Sequence, residues 1–283
     1  MPGTLTTVLT DLAFPEGPRW RDGRLWFSDM HGHEVIAMTP EGGRESIYKH
    51  TGPVYGLGWL PDGRMLVVSM DDHTLLRREA DGRMVVHGDM SAIATGVCND
   101  MVVDAKGRAY VGNFGVGYPD VSKIEPAKLA RVDPDGTVSV AAEEMMFPNG
   151  AMITPDGKTL IVGETFAGRM TAFDIAADGS LSNRRVWAAL PQGAVPDGAC
   201  LDAEGAVWVA SPTTNDVIRM KEGGEVLDRV QADQGCFACM LGGADRKTLY
   251  VLTAGGADAE DTKRVRLGRI EQLRVDVPGA GLP

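Results

Sequence analysis

Residues 152–164 read MITPDGKTLIVGE: an Asp-Gly turn with an alternating strand before it and a short apolar strand after it. The phrase returns as GPRWRDGRLWFSD (17–29), LGWLPDGRMLVVS (57–69), MVVDAKGRAYVGN (101–113) and CLDAEGAVWVASP (200–212), with a degenerate copy, MLGGADRKTLYVLT (240–253). The turn glycines are Gly23, Gly63, Gly107, Gly157 and Gly205, with Arg246 in that place in the last copy, so the steps are 40, 44, 50, 48 and 41 residues. A period of about 40 to 50 residues with a hairpin in every unit is the mark of a β-propeller. The expected fold is therefore all-β, a six-bladed β-propeller with four antiparallel strands per blade. Runs such as RMTAFDIAADG followed by SLSNRRVWAAL supply the outer strands. Blade six is one strand short, and the N-terminal TLTTVLTDL has no blade of its own. Residues 4–11 are thus expected to pair with residues 268–277 and close the ring, removing its open edges. No amphipathic helix is expected. No linker or composition break divides residues 1–283, which are expected to form a single domain.

The 283 residues are 24% charged and 43% hydrophobic, an ordinary globular profile. The start, MPGTLTTVLTDLAF, lacks a basic segment and a continuous apolar run, and no stretch reaches the roughly 18 to 20 apolar residues of a membrane span. A cytoplasmic protein is expected. The net charge of -11 argues against nucleic acid or an anionic membrane as partner, since both call for a basic patch. The four cysteines, Cys98, Cys200, Cys236 and Cys239, are too sparse for a disulfide framework. The C-x-x-C in CFAC has no second pair and no histidine beside it, so buried strand thiols are expected.

In a propeller the first strand of each blade lines the central channel, and the residue just before it looks into one mouth. Counting eight residues back from the turn glycine gives Tyr55, Asn99, Asn149 and Asp197, and eight back from Arg246 gives Ala238. Blade one has a turn one residue tighter, and counting seven gives Glu16. Three of these neighbourhoods echo one another: FPEGP, FPNGA and VPDGA. Proline fixes φ and glycine relieves crowding, so the residue between them is aimed in a set direction. Two carboxylates and two amides converging on one mouth repel and stay poorly solvated unless a cation or held water joins them. An all-oxygen set suits Ca²⁺, Mg²⁺ or Mn²⁺, with calcium favoured because it accepts irregular geometry.

Other chemistries lack their residues. The histidines at 31, 33, 50, 73 and 87 all lie in the first third without an H-E-x-x-H, and HGH at 31–33 reads as a loop. No G-x-S-x-G, P-loop or G-x-G-x-x-G occurs. Asp133 and Asp135 have calcium-loop spacing, but Pro134 and Val138 break that loop, so a strand-connecting turn is expected.

FPEGPRW, NDMVVDAKGRAYVGN, FPNGAMITPDGKTLIV, PDGACLDAEGAVWVA and CMLGGADRKTLYVLTAGG together resemble the senescence-marker-protein, gluconolactonase and luciferin-regenerating-enzyme family over nearly the whole chain. The resemblance implies one divalent cation, Ca²⁺ first and Zn²⁺ or Mn²⁺ as alternatives, held by Glu16, Asn149 and Asp197. It implies that Asn99 helps bind substrate, that Asp197 is the acid/base, and that the reaction is hydrolysis of a small-molecule lactone, often a sugar lactone. The chain departs from sugar-lactone members at Val97, where they carry arginine, so the expected substrate is a sugar lactone such as gluconolactone or a less polar lactone, with any further polar contacts drawn from elsewhere. The insertion at 114–128, FGVGYPDVSKIEPAK, holds Tyr118 and Asp120 and offers Tyr118 as a further substrate contact. Ester or phosphotriester hydrolysis on the same propeller is the rival chemistry, and a noncatalytic calcium-binding interaction scaffold is the rival of another class.

Overall fold

The Asp-Gly turns set the register of every blade. In blade one Arg21 pairs with Arg24, leaving Asp22 (φ 51°) and Gly23 (φ 73°) as a two-residue loop with both residues left-handed, the type I′ geometry that suits twisted strands. In blade two Leu60 N–H donates to the Arg64 carbonyl at 2.9 Å and Gly63 N–H to the Leu60 carbonyl at 2.9 Å, a longer loop ending on a left-handed glycine. The same bonds link Asp104 with Arg108 and Asp202 with Ala206. The shorter loop of blade one is why Glu16 stands seven residues before its turn glycine and the other mouth residues stand eight.

A computed structural model describes residues 4–115, 120, 123 and 125–282. Its strands form six four-stranded antiparallel sheets, the six-bladed propeller expected. The inner strands are Pro15–Arg21, Val54–Trp59, Cys98–Val103, Pro148–Ile153, Ala199–Leu201 and Gly235–Gly242, each packed on the next, with the last returning to the first. Strands with neighbours on both faces bury every residue, as Cys98–Val103 and Pro148–Ile153 do. The outermost strands face water on one side, and the exposed Val86, Val140, Val186 and Val226 all lie on them. The apolar core lies between blades; one cluster joins Leu12 and Phe27 to Trp208, Met240 and Tyr250.

Thr6–Leu12 pairs antiparallel with Gly268–Arg274 (Thr6 opposite Gln272, Leu12 opposite Gly268), so the N-terminal strand completes blade six as expected. A second closure went unseen in the sequence. The C-terminal tail bridges Leu282 to Ile153 and Gly279 to Asp202, at the ends of the inner strands opposite the mouth residues. The expected absence of helix is corrected by Ala259–Val265. Asp258 caps it by accepting from Asp261 N–H, Glu260 and Asp261 open it, and Lys263 and Arg264 end it, charges that match its dipole. It buries only Thr262, so it carries no hydrophobic period to read. Among the described residues no helix is long and apolar enough to cross a membrane.

Candidate metal centre

Five blades end their second strand on a polar residue, Asp29, Ser69, Asn113, Glu164 or Ser211, and blade six has Thr253 one residue before its end, all at most 2% exposed. Three of them reach back to the backbone just ahead of a mouth residue. Asp29 accepts from Ala13 and Phe14 N–H at 3.1 and 2.7 Å, Glu164 from Met146 N–H at 2.9 Å, and Ser211 from Val195 N–H at 3.1 Å. These are the blades of Glu16, Asn149 and Asp197. The other three turn elsewhere: Ser69 donates to Asp72, Asn113 to the Lys128 carbonyl and Thr253 to Glu271. Blades that carry the oxygen set thus have their turns tied down by a buried side chain, a device the repeat shows only as a polar last letter.

Past the mouth residue the inner strand shifts register, between Glu16 and Arg19, Cys98 and Met101, and Asn149 and Met152, a bulge that re-aims the side chain. Gly17 (φ 56°) and Gly150 (φ 52°) follow directly. A Cβ at Gly150 would stand 2.2 Å from the Asp197 carbonyl oxygen. Gly150→Ala is therefore expected to lose about 2–5 kcal/mol in urea unfolding, from left-handed strain plus overpacking, and to displace Asp197.

Glu16, Asn149 and Asp197 are 2, 3 and 8% exposed and line one pocket of ≈ 200 Å³. Asn149 Nδ2 donates to Asp197 Oδ1 at 2.6 Å, while its Oδ1 accepts from Gly150 N–H at 2.8 Å and Glu16 Oε2 from Gly17 N–H at 3.2 Å. Each of these oxygens keeps a lone pair. Among the described residues neither Glu16 nor Asp197 has an Arg, Lys or His in ion-pair reach, whereas neighbouring Asp100 is paired with buried Arg19 at 2.7 Å. Burial, and next the Asp197 charge, push the Glu16 carboxyl well above its ordinary range. Burial likewise pushes Asp197 up to about 7, partly offset by its bond from Asn149. Two desolvated carboxylates with no countercharge fit a cation as the missing partner.

Two buried groups beside them are also unmatched. The Tyr55 hydroxyl, close to both carboxylates, makes no well-formed hydrogen bond, and neither amide atom of Asn99 has a partner. Asn99 holds the slot expected of it but is wholly buried and is not among the described residues lining the pocket. Tyr118 lies outside the described residues. Phe114, at the start of the insertion, does line the pocket, and Val97 packs with Phe14, Met30 and Tyr55 in its wall. Among the described residues no three His, Cys, Asp or Glu side chains gather into a metal site, at this mouth or elsewhere; the set here is two carboxylates and an amide. His31 sits in a turn with Nδ1 2.6 Å from the Thr262 hydroxyl, all four cysteines are buried free thiols, and Asp133 opens a turn between strands.

The family model described as SMP-30/Gluconolactonase/LRE-like region matches residues 14–255. The chain is 28% identical to pentonolactonase XacC of Haloferax volcanii over 99% of this chain and 97% of that one. It is also 28% identical to a 6-deoxy-6-sulfogluconolactonase of Pseudomonas putida over 95% and 93%. A solved luciferin-regenerating enzyme superposes with TM-score 0.84 at 21% identity, covering 99% of this chain and 98% of that one, a likeness of fold. The closed six-bladed propeller agrees with that likeness of fold, and the chain belongs to the SMP-30/gluconolactonase/LRE-like family.

Proposed function

We propose that the protein is a divalent-cation-dependent lactonase. The observation that carries this reading is the unneutralised pair Glu16 and Asp197, joined by Asn149 in an apolar pocket. Glu16, Asn149 and Asp197 would hold the cation through hard oxygens, for which Ca²⁺ is the first choice and Zn²⁺ or Mn²⁺ the alternatives. When bound, the cation supplies Lewis acidity toward the lactone carbonyl. The surrounding phenyl rings exclude bulk water and strengthen every charge interaction in the pocket. Asp197 takes the proton of the attacking water and returns it to the departing ring oxygen. Tyr55, with its hydroxyl uncommitted beside both carboxylates, is placed to orient that water. The two relatives named as lactonases support the same reaction class.

Calorimetric titration of the metal-stripped protein with Ca²⁺ tests this reading. One site per chain is expected, weakened at least about tenfold in Glu16→Gln, since one charged ligand becomes neutral. Lactone turnover should fall only as far as the cation is lost, and excess Ca²⁺ should restore much of it. Unchanged Ca²⁺ affinity in Glu16→Gln would remove Glu16 from the set.

A further inference from the structure

We propose that the lactone carries an aryl or alkyl substituent rather than the ring of hydroxyls of a sugar lactone. This narrows the lactonase reading and rests on it. The pocket is walled by Phe14, Phe114, Phe147, Phe166 and Phe237, five of the seven phenylalanines in the chain. They form two aromatic banks. Phe14 and Phe237 stand 4.5 Å apart between centroids, and Phe147 stands 4.2 Å from Phe114 and 5.1 Å from Phe166. Phe147 is held at φ 59°, a conformation rare for a bulky side chain, with Thr165 N–H bonded to its carbonyl at 3.1 Å. Strain of this kind is kept where a side chain must point one way, and this ring points into the pocket.

Polar groups are concentrated at the floor. Among the described lining residues, Glu16, Asn149, Asp197 and Tyr55 gather around the proposed cation position, and the Thr165 hydroxyl is committed to the Pro196 carbonyl at 2.8 Å. No arginine or lysine is among them. A sugar lactone has one reacting carbonyl to offer the floor, and its remaining hydroxyls would be desolvated against phenyl faces without partners. An aryl or alkyl group in the same place buries apolar area on both sides. A second cavity of ≈ 330 Å³ shares Met30 and Phe114 with this one; Met70 and Val97 give it an apolar side, while His31, His33, Asp71 and Lys263 also line it.

The test compares kcat/KM for three lactones at saturating Ca²⁺: an aldono-δ-lactone, an alkyl δ-lactone of the same ring size, and dihydrocoumarin. The alkyl or aryl lactone is expected to exceed the aldonolactone by about 100-fold or more, the scale on which apolar pockets discriminate. Phe166→Asn should cut that ratio at least about tenfold by placing a hydrogen-bonding group on the wall. As a readout independent of turnover, a phenyl-substituted cyclopentanone should bind the metal-stripped protein with negative ΔCp. An aldonolactone hydrolysed as well as or better than the others would overturn the substituent proposal and leave the lactonase reading standing. Hydrolysis of none of the three would overturn both.

Discussion

Asp197→Asn is expected to lower lactone turnover by about 10² to 10⁴-fold, the range a positioned general base contributes. The fold should survive. The asparagine oxygen can still accept from Asn149 Nδ2, which now meets Asp197 Oδ1 at 2.6 Å, and the backbone N–H that bonds the Ala210 carbonyl at 3.0 Å is untouched. The substitution also removes a buried carboxylate whose charge raises the proton affinity of Glu16. The metal-free variant should therefore unfold at the same urea concentration as the parent or a higher one. Turnover lost together with stability would point to a structural role for Asp197 instead; turnover within tenfold of the parent would remove it as the base.

Glu164→Gln is expected to behave in the opposite way, costing stability first. The Glu164 side chain is fully buried and holds the Met146 N–H, the Thr171 hydroxyl, Arg169 at 2.9 Å and Arg184 at 3.2 Å. Breaking a buried ion pair typically costs about 3–5 kcal/mol; both arginines are about one-third exposed and can rehydrate, so about 2–3 kcal/mol is expected in urea unfolding. Burial alone would push the Glu164 carboxyl up, but the bonds from Thr171 and Met146 and the charge of Arg169 hold it below its ordinary value. A carboxyl lowered on folding contributes stability above its unfolded pKa of about 4.3, and loses that contribution as pH falls through the folded value. The gap between parent and Glu164→Gln should thus be full at pH 6 to 8 and close progressively below about pH 4. Catalysis should also fall, because Met146 begins the turn that aims Asn149. A gap independent of pH down to acid unfolding would contradict this assignment.

The parts of the protein legible in its sequence are those written locally. The turn glycines repeat at blade spacing, and a proline and a glycine two positions apart frame each of Glu16, Asn149 and Asp197 so alike that one slot could be read across three blades. Even the one-residue offset of Glu16 was visible, and the type I′ loop at Asp22 and Gly23 explains it. What escaped is non-local. Asp29 and Glu164 act on backbone N–H groups 15 to 18 residues earlier, and nothing in their own phrases marks the partner. Among the five wall phenylalanines, Phe14 and Phe237 belong to the first and last blades and meet only because the ring closes, while Phe114, Phe147 and Phe166 come together from blades three and four. The tail that bridges Ile153 and Asp202 is Pro- and Gly-rich, with no strand alternation to betray its contacts.

The dependence of lactone hydrolysis on a divalent cation tests the central claim most directly. Protein stripped with EDTA and desalted should hydrolyse dihydrocoumarin, followed by acid release, at no more than the uncatalysed rate. Stoichiometric Ca²⁺, Zn²⁺ or Mn²⁺ should restore turnover in the parent chain and leave Asp197→Asn about 10² to 10⁴-fold below it. Full turnover in the stripped protein would contradict the account.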